Sequence, residues 1–354
     1  MTSKVAIVEL GDDAEALGRA LQQIGGINEL NTYERPVVVK VGVFSHKASN
    51  HSSVSVVRAI VDSFDRAPRV FLAESDNYQG TALERLQIWR ELFTKRVIPV
   101  SLSDEANSRR VVLAGQEMRL SNTLFKPNVL VSTHIMRSFE RGSILKNLFG
   151  CIPSPKKAKY HKVLPSLLAD IYEKTGGIDL AVMDGTFFWR GAGEFPMRMN
   201  TLLVGRDAVA VEAVGATLAG LKLEKMPVLQ EFVKRGLGEG DLENIEIVGT
   251  PLDTLKAKFE RAAKEHAREW RERGGAPKIW ASAIDQLINE GFFRLPKKRT
   301  REEVRRTLMD RSVPVEGNMN LVVTTLTRRV KKGLLKTEKA GETWIYWTEQ
   351  TTCA

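Results

Sequence analysis

Two segments hold side chains that folding alone does not demand. The first, STHIMRSFERGSILKNLFGCIPSPKKAKYH (132–161), puts Thr133 and His134 at the end of an apolar run. It then places Lys146 and Asn147 after a glycine-containing loop, and Lys156, Lys157, Lys159 and His161 in a basic stretch. The second, VMDGTFFWRGAGEF (182–195), ends an apolar run on Asp184 and follows it with a loop holding Gly191 and Gly193. Lys40, Glu74, Asp76 and Asp207 likewise stand at or just past apolar runs. Three chemistries suit these residues. Lys40, Lys146, Lys156 and Lys157 beside glycine-rich loops suit a phosphate or carboxylate. His134, His161, Asp184 and Asp207 are hard or borderline ligands for a divalent metal, although no short metal-ligand spacing is present. His134, His161 and Asp184 also suit acid–base catalysis in an enzyme. A plainer account competes with all three: His134 and Asp184 hydrogen-bond loops, and the glycines make tight turns. The loop R-G-A-G lacks the spacing of a dinucleotide fingerprint, and no Walker A lysine motif occurs. Cys151 has no evident base beside it in sequence and reads as a small buried hydrophobe.

Such residues need a scaffold to bring them together. Apolar, β-rich runs at 5–10, 36–44, 69–75, 129–135, 178–185, 200–205 and 245–249 predict strands. Helical patterns at 12–24, 53–64, 165–174 and 207–221 alternate with them. Continuously apolar strands separated by helices predict an α/β domain over 1–251, with a mainly parallel sheet covered by helices on both faces. In open sheets of this kind ligands bind at the carboxyl ends of the strands, which is where the polar residues above fall.

The same segments carry a resemblance. THIMRSFERGSILKNLFGCIPSPKKAKYH, LAVMDGTFFWRGAGEF, LLVGRDAVAVEA and GLGEGDLENIEIVG resemble, in order and spacing, successive motifs of domain of unknown function 362 over roughly residues 5–250. The resemblance carries to Thr133, His134, Lys146, Asn147, Gly150, His161, Asp184, Gly185, Gly191, Gly193 and Asp207. It departs at Ser132, where the family usually has lysine, at Glu194, where proline is usual, and at Glu212, where aspartate is common. Many members carry ferredoxin-like cysteine clusters. Cys151 and Cys353 are too few for one, so no iron–sulfur cluster is expected. The resemblance implies the fold and a polar pocket, and no established reaction.

Beyond Leu252 the chain changes character. LKAKFERAAKEHAREWRER is a charged helical pattern with opposite charges such as Lys256 and Glu260 at i,i+4, and it reads as a linker over 252–274. Residues 275–354 then predict three helices and a β-hairpin, the pattern of a winged helix-turn-helix domain. The first helix buries Ile279, Ala283, Ile284, Leu287, Ile288 and Phe292. Thr300 with Glu303 forms a capping box for the second, and the third (318–332) buries Met319, Val323, Leu326 and Val330. Lys339-Ala340-Gly341 turns the hairpin. Asn320, Thr324, Thr327, Arg328 and Lys331 then face outward as types that contact bases and phosphates. Lys297, Lys298, Arg299, Lys336 and Lys339 supply phosphate contacts.

Charge supports that assignment. The chain carries +10 at pH 7, and residues 278–350 hold 15 Lys/Arg against 9 Asp/Glu. DNA or RNA is the expected partner of the tail. Together with the pocket this describes a regulator whose α/β domain binds a small anion or a metal. An enzyme with a docking tail, and a ribosome-associated or protein-interaction factor, are the competing functions. No apolar stretch approaches the length of a membrane span, and two isolated cysteines fit a reducing cytoplasm.

Overall fold

The computed structural model describes residues 2–45, 50–189, 197–272, 275–311, 313, 319–341 and 343–349. It divides into two compact units, one of residues 1–190 and 196–261, the other of residues 191–195 and 262–354. None of its described helices is long and apolar enough to cross a membrane.

The first unit runs β1 (Ser3–Glu9), α1 (Asp13–Gln23), β2 (Val37–Val41), β3 (Val43–Ser45), β4 (Asn50–His51), α2 (Val54–Ser63) and β5 (Val70–Glu74). It continues with α3 (Ala82–Leu86), β6 (Val97–Ser101), β7 (Ser108–Leu113), β8 (Gln116–Ser121), β9 (Val129–Arg137), α4 (Ile144–Asn147) and α5 (Leu164–Thr175). It closes with β10 (Leu180–Trp189), β11 (Met197–Gly205), α6 (Ala208–Leu218), α7 (Pro227–Lys234) and β12 (Ile245–Gly249), and α8 (Leu252–Glu272) follows. Eight strands form one sheet in the order β12-β1-β11-β10-β9-β2-β5-β6. All neighbours are parallel except β11, which runs against both β1 and β10. The exception has a simple cause: residues 190–196 are too few for the crossover that a parallel β10–β11 pair requires.

Alternation along the strands sorts the sheet into two faces. Val37, Val39, Val129, Val131, Leu180 and Val182 join one core with Leu17 of α1 and Val57 and Ile60 of α2. The alternate residues serve the opposite face. There Gly215 of α6 lies so close to Met183 that a β-carbon would strike its sulfur. Helices therefore cover both faces, as the apolar strands predict. Strand β6 and the hairpin β7–β8 add to the predicted set; Ala114 (φ +47°) and Gly115 (φ +72°) turn that hairpin.

The second unit holds α9 (Gly275–Asn289), β13 (Arg299–Thr300), α10 (Arg301–Asp310), α11 (Met319–Lys331), β14 (Lys336–Ala340) and β15 (Thr343–Trp347). Its three strands pair antiparallel in the order β13-β15-β14. Trp280, Ile284, Leu287, Phe293, Val304, Leu308, Val322, Leu326 and Tyr346 form its own core. Thr300 and Glu303 cap α10 reciprocally, at 2.8 Å and 3.2 Å. The inner face of α11 differs from the expected one. Val322, Thr325, Leu326 and Arg329 are buried, whereas Val323 and Val330 are half-buried. The side chains of Ile279 and Met319 lie outside the described residues. Arg329 explains the rotation: it donates to both Asp285 carboxylate oxygens of α9 (2.8 and 2.6 Å) and to the Ala281 carbonyl (3.1 Å).

Candidate functional site

Strand alternation also decides which candidate side chains share a space. On β9, Ser132 and His134 belong to the α6 side of the sheet and Thr133 to the α2 side, where its hydroxyl lies 3.5 Å from that of Ser52. Lys40 of β2 stands level with Ser132 in the register. Lys40 is fully buried, and its ammonium donates to Glu74 Oε2 (2.9 Å), the Val41 carbonyl (2.9 Å) and Asn147 Oδ1 (3.0 Å). Asn147, brought over by α4, donates in turn to the Lys40 carbonyl (2.8 Å), Ser132 Oγ (3.1 Å) and the Thr133 carbonyl (3.1 Å). Glycine at 150 leaves room for this network, because a β-carbon there would stand 2.5 Å from Lys40 Nζ and 2.7 Å from Glu74 Oε1. The loop before α4 is held by Glu212, whose buried carboxylate accepts from the Ser143 and Leu145 amides (2.8 and 2.9 Å). Burial pushes that carboxyl above its ordinary range.

Above this floor lies a cavity of about 950 Å³. Arg85, Arg137, Arg141, Lys146, Lys156 and Lys157 line it, opposed by Glu74 and Glu140, with His134, Asn147, His161 and an apolar wall of Val43, Tyr78, Phe139, Phe149 and Leu221. Its size suits an organic ligand of the usual pocket class. His134 Nδ1 lies 3.0 Å from the Ile135 carbonyl. A carbonyl only accepts, so Nδ1 carries the proton and Nε2 keeps a lone pair. Burial, then the charges of Arg137, Lys40 and Lys146, hold His134 well below its ordinary value, so the ring is neutral. Lys146 places its ammonium 3.7 Å from the Phe149 ring centre, and His161 stacks on the same ring at 5.1 Å. Burial and the neighbouring Arg141, Arg137 and Lys157 bring Lys146 down to about 7. Lys157 donates to Ser75 Oγ at 2.7 Å, and burial lowers it to about 8. His161 is lowered by burial, Lys146 and Arg141.

The structure separates several residues grouped by their chemistry. Asp184 lies on the α2 side of the sheet, accepting from the Ser53 amide (2.6 Å), the Ser53 hydroxyl (2.5 Å) and the Thr186 amide (2.9 Å). It does not join His134 and His161 in the cavity, so the catalytic trio is not assembled. Asp207 caps α6, accepting from the amides of Val209 (2.9 Å), Ala210 (3.1 Å) and Glu239 (2.8 Å). Asp76 is likewise engaged with the Ala82 amide at 2.8 Å. The proposed metal set is therefore dispersed, and among the described residues no group of three His, Cys, Asp or Glu is arranged to hold an ion. Gly191, Gly193 and Glu194 lie outside the described residues. Cys151 is buried, its thiol pushed up to about 11 by burial. Arg85, Arg137 and Arg141 are the residues that sequence chemistry passes over. The run MRSFER after the strand carries the signal for the last two, and nothing local signals Arg85.

In the second unit Thr324, Thr327, Arg328 and Lys331 are exposed along α11, and Lys297 and Lys339 are exposed as well. The side chain of Asn320 lies outside the described residues. Three expected phosphate contacts are already engaged by carboxylates: Lys298 with Glu338, Arg299 with Glu303 at 3.2 Å, and Lys336 with Glu349. Arg299 also lies over the Phe292 ring at 4.5 Å.

Fold and site together define an α/β protein with a basic, partly apolar cavity beside the carboxyl ends of its central strands. The chain belongs to the family described as domain of unknown function (DUF362), whose model matches residues 37–217. The match contains all the cavity lining except Leu221, and falls short of the roughly 5–250 expected from the motifs. No curated protein and no solved structure matches the chain.

Proposed function

We propose that the first unit binds a small organic anion in the cavity, and that residues 275–354 form a winged-helix module that binds nucleic acid. The cavity's charge carries the first half: six Lys/Arg side chains face two carboxylates, one of them Glu74, which is shared between Lys40 and Arg85. A desolvated excess of positive charge is stabilised by an anion entering it. The apolar wall favours an anion with a hydrocarbon body over a bare inorganic ion. In the tail, three helices and an antiparallel sheet support the winged-helix reading, with α11 as the recognition helix and β14–β15 as the wing. Lys297, Arg328, Lys331 and Lys339 have no ion-pair partner among the described residues and supply the phosphate contacts.

Calorimetry with phenylacetate and its neutral amide tests the first half. Phenylacetate binds, phenylacetamide does not, and Arg141→Ala weakens binding. Equal affinity for acid and amide would refute the charge argument. For the second half, the affinity of the full chain for duplex DNA and RNA is measured across salt. A falling log K with log salt is expected, reduced in slope by about two in Arg328→Ala/Lys331→Ala. An absent slope rejects a polyanion partner.

A further inference from the structure

We infer that Lys146 is a carbonyl-trapping lysine, and that the cavity takes an anionic aldehyde or ketone, such as a 2-oxo acid with an apolar body, as an imine on its Nζ. This rests on the anion-binding reading above and adds a covalent step to it.

Of the lysines in and beneath the cavity, Lys156 is exposed to water, and the other three differ in their partners. Lys40 spends its three protons on Glu74, Val41 and Asn147 beneath the floor. Lys157 is tied to Ser75 and faces Glu74 through the local field. Lys146 is half-buried and lines the cavity, and among the described residues it has neither a carboxylate nor a hydrogen-bond acceptor. Among the described residues its ammonium meets the Phe149 ring face, at 3.7 Å. Three cations, Arg141, Arg137 and Lys157, act against its charge. Desolvation beside other cations is the arrangement that frees an amine lone pair. With its value near 7 instead of 10.5, Lys146 holds a far larger free-base share at neutral pH than an ordinary lysine. The cations that suppress the charge of Lys146 also hold the carboxylate of an incoming oxo acid, so the carbonyl arrives beside the amine.

The step balances without an added reagent. The Nζ lone pair bonds to the carbonyl carbon, and the C=O π pair moves to oxygen. Nitrogen gives up a proton and the oxygen gains one, leaving a carbinolamine. Loss of hydroxide with a further proton as water forms the C=N bond.

The full chain is incubated with phenylpyruvate and cyanoborohydride and mapped by peptide mass. A single reduced adduct on Lys146 is expected, absent in Lys146→Arg, with a trapping rate that rises through about pH 7. No adduct, adducts spread over surface lysines, or an adduct that survives Lys146→Arg each overturn the inference. Phenylacetate binding on the same preparation separates the two claims. Phenylacetate bound without phenylpyruvate trapping defeats the imine alone, and loss of both defeats the anion site and the imine with it.

Discussion

Glu74 shows how tightly single residues are committed beneath the cavity. It is 2% exposed and neutralises Lys40, which has no access to water. Glu74→Ala strands that ammonium, so a loss of about 3–5 kcal/mol is expected in chemical denaturation, the typical cost of breaking a buried pair. His134 gives a second prediction at this scale. Its value in the folded protein lies below the unfolded 6.5. Below that unfolded value the unfolded chain therefore takes up a proton that the native ring refuses, and stability drops as pH falls beneath about 6.5. His161 is shifted the same way. Melting temperature followed between pH 7.5 and 5 should decline less steeply in His134→Gln than in the wild type. Parallel curves would show that His134 takes up its proton as readily in the native state as in the unfolded chain. Legibility at this scale was partial. His134, Lys146, Asn147 and His161 stand out by type and position in the sequence. Arg85 reaches the same cavity from α3, and no spacing announces that.

Among the elements, α4 is short and owes its place to others. Glu212 of α6 accepts its leading amides, and Asn147 at its end stitches β2 to β9. Glu212→Ala leaves buried donors without partners, at a cost of about 1–3 kcal/mol. The same variant should weaken phenylacetate binding, because Lys146 rides on α4. Unchanged affinity in calorimetry would detach the anion site from this helix. In the tail, the α9–α11 contact depends on Arg329 with Asp285. Arg329→Ala is expected to lower stability by about 1–3 kcal/mol, the cost of losing charge-assisted bonds where Asp285 stays partly solvated. Apolar periodicity alone favours Val323 and Val330 for the buried stripe. It cannot register that a basic residue is turned inward by a carboxylate on another helix.

For the whole molecule, each unit has a core of its own. Leu308→Ala, which opens a cavity in the second core, should reduce nucleic-acid affinity and leave phenylacetate affinity unchanged. The sequence by itself determined the alternation of strand and helix, the sheet covered on both faces, the capping box at Thr300 and Glu303, and the placing of polar residues at strand ends. These follow from local period and residue type, which each segment carries within itself. Only the tertiary structure decided the place of β6 at the sheet edge and the company each functional residue keeps. Side chains on one strand alternate between faces, so His134 entered the basic cavity while Thr133 and Asp184 turned to α2. Residues from β5, α3, β9, α4 and the 155–161 loop met there because the sheet order brought their strand ends together. That convergence, written nowhere in any one segment, makes the cavity cationic and leaves Lys146 without a carboxylate among the described residues.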